Sequence, residues 1–210
     1  MPELCRDLTR EGDVLAVDFR GTGGSGGRYT FGAEEYQDLK PFLDWGRKRY
    51  AQTILLGLSL GAYHCFRAAH AWPERVDKIL LVSCPTGLED ILKTGGPLRQ
   101  AFALSKDWKA LPRRLTVPSH PFFRWGNPFS PKPQADELAP GLRVRSAFLV
   151  GGKDRLVLKS LSRRIFEKIS GGASWTEIPE GQHAELIYIE QTQAFLQWCS
   201  KEIRKTKSKN

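Results

Sequence analysis

The sequence predicts an α/β fold: a mostly parallel sheet flanked by helices, with a cap or lid inserted after one of its strands. Short, near-continuous apolar runs alternate with longer helical patterns, which is typical of strands that are buried on both faces. One long segment, residues 86–142, interrupts this alternation. The length of 210 residues, 40% of them hydrophobic, predicts that residues 1–210 form a single globular domain.

Strand and helix patterns follow one another along the chain. The apolar runs predict strands over residues 14–19, 53–58, 78–83, 144–150 and 174–178. Helical patterns cover residues 1–12, 34–50, 61–72, 159–169 and 184–203. This repeated order implies a parallel sheet, and ligands of such sheets bind outside the carboxyl ends of the strands.

Residues 86–142 contain no strand pattern, but many prolines and aromatic residues. A structureless loop of this length is unusual in a compact domain, so the segment is expected to be a small helical cap or an irregular lid. It follows a strand, on the side where a ligand would bind. Its aromatic side chains either line an apolar pocket or only pack the insert onto the body.

Charge and cysteine usage exclude several classes of partner. The net charge is +9, of which residues 201–210 carry +4, and we interpret this basic tail as a solvated helix end. Neither a zinc-knuckle spacing nor an aromatic RNA-binding signature is present, so no nucleic-acid partner is expected. The four cysteines form no Cys-x-x-Cys pair, and we predict neither a metal nor a cofactor.

Hydropathy gives an expectation for the location of the protein. The longest uncharged stretch, residues 51–66, is shorter than the roughly 20 apolar residues of a membrane helix, and it contains glycine and serine. Charged residues occupy the N-terminus where a signal peptide would be apolar. We therefore expect a cytoplasmic protein with no membrane span.

The first of two glycine motifs, residues 21–26, matches the G-x-G-x-x-G pattern of dinucleotide sites. Its context does not fit, because residues 27–32 continue as a loop where that fingerprint begins a helix. The acidic residue expected at the end of a second strand is also missing, since Asp38 and Asp44 lie inside a helical pattern. A dinucleotide site is therefore not favoured.

The second motif, Gly-Leu-Ser-Leu-Gly at residues 57–61, lies between a predicted strand and a predicted helix. This is the context of a nucleophile elbow, in which a sharp turn presents a serine hydroxyl above the sheet. Ser59 is the candidate nucleophile. The alternative is a turn that merely joins the two elements.

A nucleophilic serine needs a base and an acid that orients it. His183 follows the last predicted strand, and Asp154 follows the strand before it, so both lie at the same edge of the sheet as Ser59. The order serine, aspartate, histidine is that of enzymes with this elbow. The other histidines lie in the helix after the elbow or in the insert: His64, His70 and His120.

Taken together, these motifs resemble a serine hydrolase of the α/β-hydrolase superfamily over nearly the whole chain. Residues 18–25 resemble the family's D-x-R-G-x-G-x-S loop, residues 57–61 its elbow, residues 151–154 its acid loop and residues 181–183 its histidine loop. The chain is most similar to small intracellular esterases and acyl hydrolases of that group.

The resemblance implies a mechanism. His183 would take the proton of Ser59 as the hydroxyl attacks an ester or thioester carbonyl, while Asp154 holds the imidazole. The backbone N–H of Leu60 would donate to the oxyanion. The implied partner is a small-molecule ester with an apolar acyl or aryl group, hydrolysed through an acyl-enzyme without a cofactor.

One part of the family pattern has no match. Its members carry a further strand ending in His-Gly, whose loop supplies a second oxyanion donor. Here only a helical pattern precedes residues 14–19, so we expect an N-terminally shortened fold. Either the two neighbouring strands pair directly, or another segment substitutes, or the natural start lies upstream; N–H groups of residues 21–27 are candidate replacement donors. The alternative function is a catalytically impaired module that binds an acyl-like ligand or a partner protein through its cap.

Overall fold

Four parallel strands lie side by side in chain order in the described part of the computed structural model, which covers residues 2–93, 126 and 130–207. The strands are β1 (Ile54–Leu58), β2 (Lys78–Val82), β3 (Arg145–Gly151) and β4 (Ala173–Ile178). Leu58 pairs with Val82, and Val82 in turn pairs with Leu149. The predicted parallel sheet is confirmed, and four of the five predicted strands are present.

Helices connect and cover these strands. They are α1 (Pro2–Leu8), α2 (Lys40–Arg47), α3 (Leu60–Ala71), α4 (Leu88–Lys93), α5 (Ala135–Leu138), α6 (Lys159–Lys168), α7 (Ala184–Glu190) and α8 (Thr192–Lys207). Short 3₁₀ helices span Glu35–Leu39, Pro73–Arg75 and Ala139–Gly141. The single helix predicted over residues 184–203 is divided at Gln191, whose φ of −127° and ψ of 40° are not helical.

Side chains of β2 alternate between two hydrophobic clusters, one on each face of the sheet. Ile79 and Leu81 pack in the cluster that also contains residues of α2, α3 and α6. Leu80 and Val82 pack in the cluster that contains residues of α1, α7 and α8. Because period-2 alternation sends successive side chains to opposite faces, both faces of the sheet are covered by helices. The predicted flanking helices are confirmed.

The strand predicted over residues 14–19 is wrong, because this segment has no regular secondary structure. Val14 and Leu15 are 39% and 57% exposed, while Val17 and Phe19 pack against the core. A strand exists only where a neighbouring strand takes its hydrogen bonds. Within the described residues β1 pairs with β2 alone, so the direct pairing of residues 14–19 with β1 does not occur.

The predicted insert over residues 86–142 is described only in part. Residues 94–125 and 127–129, which include His120, lie outside the described residues. The amide of Ala135 donates to the carbonyl of Thr86 over 2.7 Å, so the first residue of the insert contacts a residue near its C-terminal end. The cap over residues 86–142 and the single domain over residues 1–210 stay predictions. No helix in the described ranges is long and apolar enough to cross a membrane.

Candidate active site

Ser59 lies in a sharp turn between β1 and α3. Its φ of 53° and ψ of −126° are strained for a residue with a side chain, and its amide donates to the carbonyl of Val82 over 2.9 Å. A Cβ atom on Gly57 would lie 2.5 Å from the Cα of Ala62, so this position requires glycine. A Cβ on Gly61 would meet nothing within 4 Å. Of the two glycines of the motif, only Gly57 is therefore required by close packing.

The three residues predicted as a catalytic set lie together. His183 Nε2 is 2.9 Å from Ser59 Oγ. On the other side of the ring, His183 Nδ1 is 3.0 Å from Oδ2 and 3.2 Å from Oδ1 of Asp154. Both the Asp154 and His183 side chains are nearly buried, with 1% and 10% of their surfaces exposed. The hydroxyl, imidazole and carboxylate thus form one hydrogen-bonded series.

Backbone amides hold the Asp154 carboxylate in place. Oδ1 accepts hydrogen bonds from the amides of Leu156 and Val157, each over 2.9 Å. These two N–H groups can only donate, so the oxygen that faces them must be an acceptor. Asp154 Oδ2 is therefore left to face His183 Nδ1, where an ionised carboxylate can only accept a hydrogen bond.

The loops that carry the acid and the histidine pack backbone against backbone. The amide of Gly152 donates to the carbonyl of Ile178, and the amide of Lys153 donates to the carbonyl of Gly181, both over 2.9 Å. A Cβ on Gly151 would collide with the carbonyl of Gly181. Glycine at position 151 therefore allows the close approach that brings Asp154 to His183.

Leu60, the predicted oxyanion donor, is the first residue of α3. The first N–H groups of a helix have no carbonyl partner within it. The amide of Ala62 donates to the carbonyl of Ser59 over 2.9 Å, whereas that of Leu60 stands directly beside the nucleophile at the positive end of the helix dipole. This is the position at which a developing negative charge would be stabilised.

The glycine loop after residues 14–19 is folded around a carboxylate. The amide of Gly24 donates to Asp18 Oδ2 over 3.0 Å, and the hydroxyl of Ser25 donates to the Asp18 carbonyl over 2.7 Å. A Cβ on Gly23 would collide with the same carboxylate. Because a negative side chain already fills the turn, the loop is unsuited to a pyrophosphate.

His64 lies fully buried in α3, one turn after the nucleophile. The Tyr29 hydroxyl is 2.8 Å from its Nε2, and burial lowers the pKa of His64 to about 4. It is therefore neutral at physiological pH and outside the series formed by Ser59, His183 and Asp154. This contact was missed in the sequence because its two partners are 35 residues apart and no motif links them.

The described residues contain no group of three His, Cys, Asp or Glu side chains that could hold a metal ion. Cys65, Cys84 and Cys199 are buried, and burial raises the pKa of the Cys65 and Cys199 thiols to about 12. Burial also raises the pKa of Cys84. Thiols in such surroundings are poor nucleophiles.

Comparison with known proteins gives one family and several similar folds. A sequence model described as the Alpha/beta hydrolase family matches residues 1–198. No match is found among proteins of curated function. Among solved structures, the esterase Pf2001 of Pyrococcus furiosus is 21% identical with a TM-score of 0.73, covering 98% of this chain and 76% of its own.

Two further structures have the same fold. A thermophilic esterase of Thermogutta terrifontis, solved with malate bound, is 21% identical with a TM-score of 0.69, covering 97% of this chain and 84% of its own. The enol-lactonase of Burkholderia xenovorans LB400 is 18% identical with a TM-score of 0.64, covering 93% of this chain and 82% of its own. At these identities the similarity concerns the fold.

Proposed function

We propose that this chain, which belongs to the alpha/beta hydrolase family, is a serine hydrolase that cleaves carboxylic ester or thioester bonds. The observation that carries the proposal is the hydrogen-bonded series from Ser59 through His183 to Asp154, with distances of 2.9 and 3.0 Å. This arrangement of nucleophile, base and orienting acid performs acyl transfer on several unrelated folds.

In the first half of the reaction, Ser59 Oγ attacks the carbonyl carbon of the substrate while its proton moves to His183 Nε2. The electron pair of the carbonyl double bond moves to oxygen, and the N–H of Leu60 donates to that oxyanion. Asp154 stabilises the imidazolium through Nδ1 and remains ionised. The oxyanion then collapses, the bond to the leaving alcohol or thiol breaks, and His183 returns the proton to it.

Water completes the cycle. It attacks the acyl-serine carbonyl while His183 Nε2 accepts one of its protons, and a second oxyanion forms beside the Leu60 amide. Collapse of this intermediate breaks the bond to Ser59 Oγ, which regains its proton from His183. The products are a carboxylic acid and the original enzyme.

The substrate class is proposed from the sequence and from the similar folds. The insert over residues 86–142 is rich in aromatic residues, which favours a small apolar acyl or aryl group. Two of the similar structures are named as esterases. We propose a small-molecule ester as the partner, a cap formed by residues 86–142, and the cytoplasm as the location.

The test combines active-site labelling with turnover. The purified chain is treated with a fluorophosphonate probe and assayed on p-nitrophenyl esters of increasing acyl length. Ser59→Ala should lose labelling and at least about 10³-fold in kcat, because no other group replaces the nucleophile. Ser160→Ala, an exposed serine on α6, is the matched control and should keep both.

Each result bears on a different part of the proposal. Labelling that survives Ser59→Ala would refute Ser59 as the nucleophile. Labelling of the wild type without turnover of any ester or thioester would indicate an activated serine whose oxyanion hole is incomplete. A wild type that neither reacts with the probe nor hydrolyses an ester would support the binding module instead.

A further inference from the structure

We propose that Ser83 is a positioning residue for His183, an inference that rests on the proposed function. Ser83 follows the last residue of β2 and is 1% exposed. Its side-chain oxygen accepts a hydrogen bond of 3.2 Å from the amide of Ala184, the residue directly after His183. The two residues are 101 positions apart in the chain.

The backbone of Ser83 is fixed between the strands that carry the site. Its amide donates to the carbonyl of Leu149 on β3 over 2.9 Å. The carbonyl of the preceding residue, Val82, accepts a hydrogen bond of 2.9 Å from the amide of Ser59. Ser83 thus lies between the nucleophile turn and the strand that leads to Asp154, with its hydroxyl directed at the histidine loop.

The Ser83 hydroxyl satisfies the first unpaired amide of α7. His183 is the N-cap residue of α7, where a side chain normally accepts one of the unpaired N–H groups of the first turn. The imidazole makes no such bond, because it is held between Ser59 and Asp154. Ser83 accepts the amide of Ala184, the first residue of α7, which an N-cap side chain does not reach. The start of the helix directly after His183 is thus held by Ser83 while the imidazole faces the nucleophile.

The hydrogen bond joins two residues whose backbones are strained. Ser83 has a φ of 48° and Ala184 a φ of 22°, in the region that favours glycine. A glycine at position 83 would relieve this strain, whereas an alanine would keep it, so the two substitutions separate the effect of strain from that of the hydroxyl. The hydrogen bond from Ala184 to Ser83 holds the backbone next to His183 from the side of β2, whereas the acid loop approaches from the other side.

The experiment separates this role from a contribution to folding. Ser83→Ala removes the hydroxyl and keeps the strain, whereas Ser83→Gly removes both. We expect the two variants to differ in Tm but to share the same loss of kcat, roughly tenfold, with KM unchanged and an equal fall in the rate of fluorophosphonate labelling.

The control is Ser146→Ala, a buried serine on β3 whose hydroxyl donates to the carbonyl of Val144 over 3.1 Å, at the opposite end of the sheet. It should lower Tm and keep kcat. If kcat follows Tm through all three variants, or if either Ser83 variant keeps kcat within twofold of wild type, the inference is overturned. An inactive wild type refutes the proposed function itself, whereas an active wild type with active Ser83 variants refutes only the positioning role.

Discussion

Replacing Asp154 by asparagine should place the proton of His183 on the wrong nitrogen. In the wild type, Asp154 Oδ1 accepts hydrogen bonds from the amides of Leu156 and Val157. The same carboxylate lies 3.0 Å from His183 Nδ1, from which it accepts a further hydrogen bond. An asparagine side chain has only one acceptor oxygen. That oxygen must face the two amides, because the reverse orientation loses two hydrogen bonds, each with a net value of about 1 kcal/mol.

The asparagine NH₂ group then donates to Nδ1, and the imidazole proton moves to Nε2, which faces Ser59 Oγ at 2.9 Å. A base that already carries a proton at this nitrogen cannot accept another from the serine. The same exchange in a serine protease triad lowers kcat by about 10⁴-fold. At 1.36 kcal/mol per factor of ten, this is about 5.4 kcal/mol of transition-state stabilisation.

The assay measures kcat and KM on a short-chain p-nitrophenyl ester, together with the fluorophosphonate labelling rate and Tm. Asp154→Asn should lose about 10⁴-fold in kcat and a similar factor in labelling, with KM little changed. Asp136→Asn, a buried carboxylate on α5 that pairs with Lys168, is the control and should lower Tm while keeping kcat. If Asp154→Asn keeps kcat within tenfold of wild type, Asp154 does not set the tautomer.

Two further predictions concern stability. Gly57→Ala should lower the free energy of unfolding by about 2–3 kcal/mol or more, because the new methyl meets the backbone of Ala62 at 2.5 Å. Gly61→Ala, with nothing within 4 Å, should raise it by up to about 1 kcal/mol through helix propensity; equal urea midpoints for the two variants would contradict this. Burial lowers the pKa of His64 to about 4, so the unfolded chain takes up this proton first as the pH falls. His64 should therefore cost about 3 kcal/mol of stability between pH 6.5 and pH 4, and nothing further below pH 4. The free energy of unfolding in urea is measured at pH 7 and at pH 4. The wild type should lose about 3 kcal/mol more between these pH values than His64→Gln does. An identical pH dependence in the two proteins would refute the assignment to His64.

The sequence predicted the parts of the fold that depend on local pattern. The runs at residues 78–83 and 144–150 became β2 and β3 because strands buried on both faces must be apolar throughout. Residues 14–19 have the same pattern and form no strand. A strand also needs a neighbouring strand to accept its hydrogen bonds, and an apolar run does not provide one. A local pattern therefore predicts the tendency to form a strand, and the sheet decides whether it forms.

The same distinction applies to the candidate site. The motifs located Ser59, Asp154 and His183, because strand ends of a parallel sheet meet at one edge. The contact of Ser83 with Ala184 has no sequence signal, since it joins two loops through one hydroxyl and one amide. Chain order indicates which side chains share an edge, but only packing determines which backbone groups support them.

The division of the site between two halves of the sheet has a consequence for folding kinetics. Ser59 follows β1, whereas Asp154 and His183 follow β3 and β4, so the contact between serine and histidine requires β2 to meet β3. The pairing of β2 with β3, for example of Val82 with Leu149, joins residues that the whole insert separates in the chain. The strands of the β1–β2 and β3–β4 pairs are separated by shorter segments. Since long loops close later, each half can form before the two halves join. After dilution from denaturant, the rate at which fluorophosphonate reactivity returns should therefore equal the rate at which β2 pairs with β3. This is a single late step that measurements of secondary structure would miss.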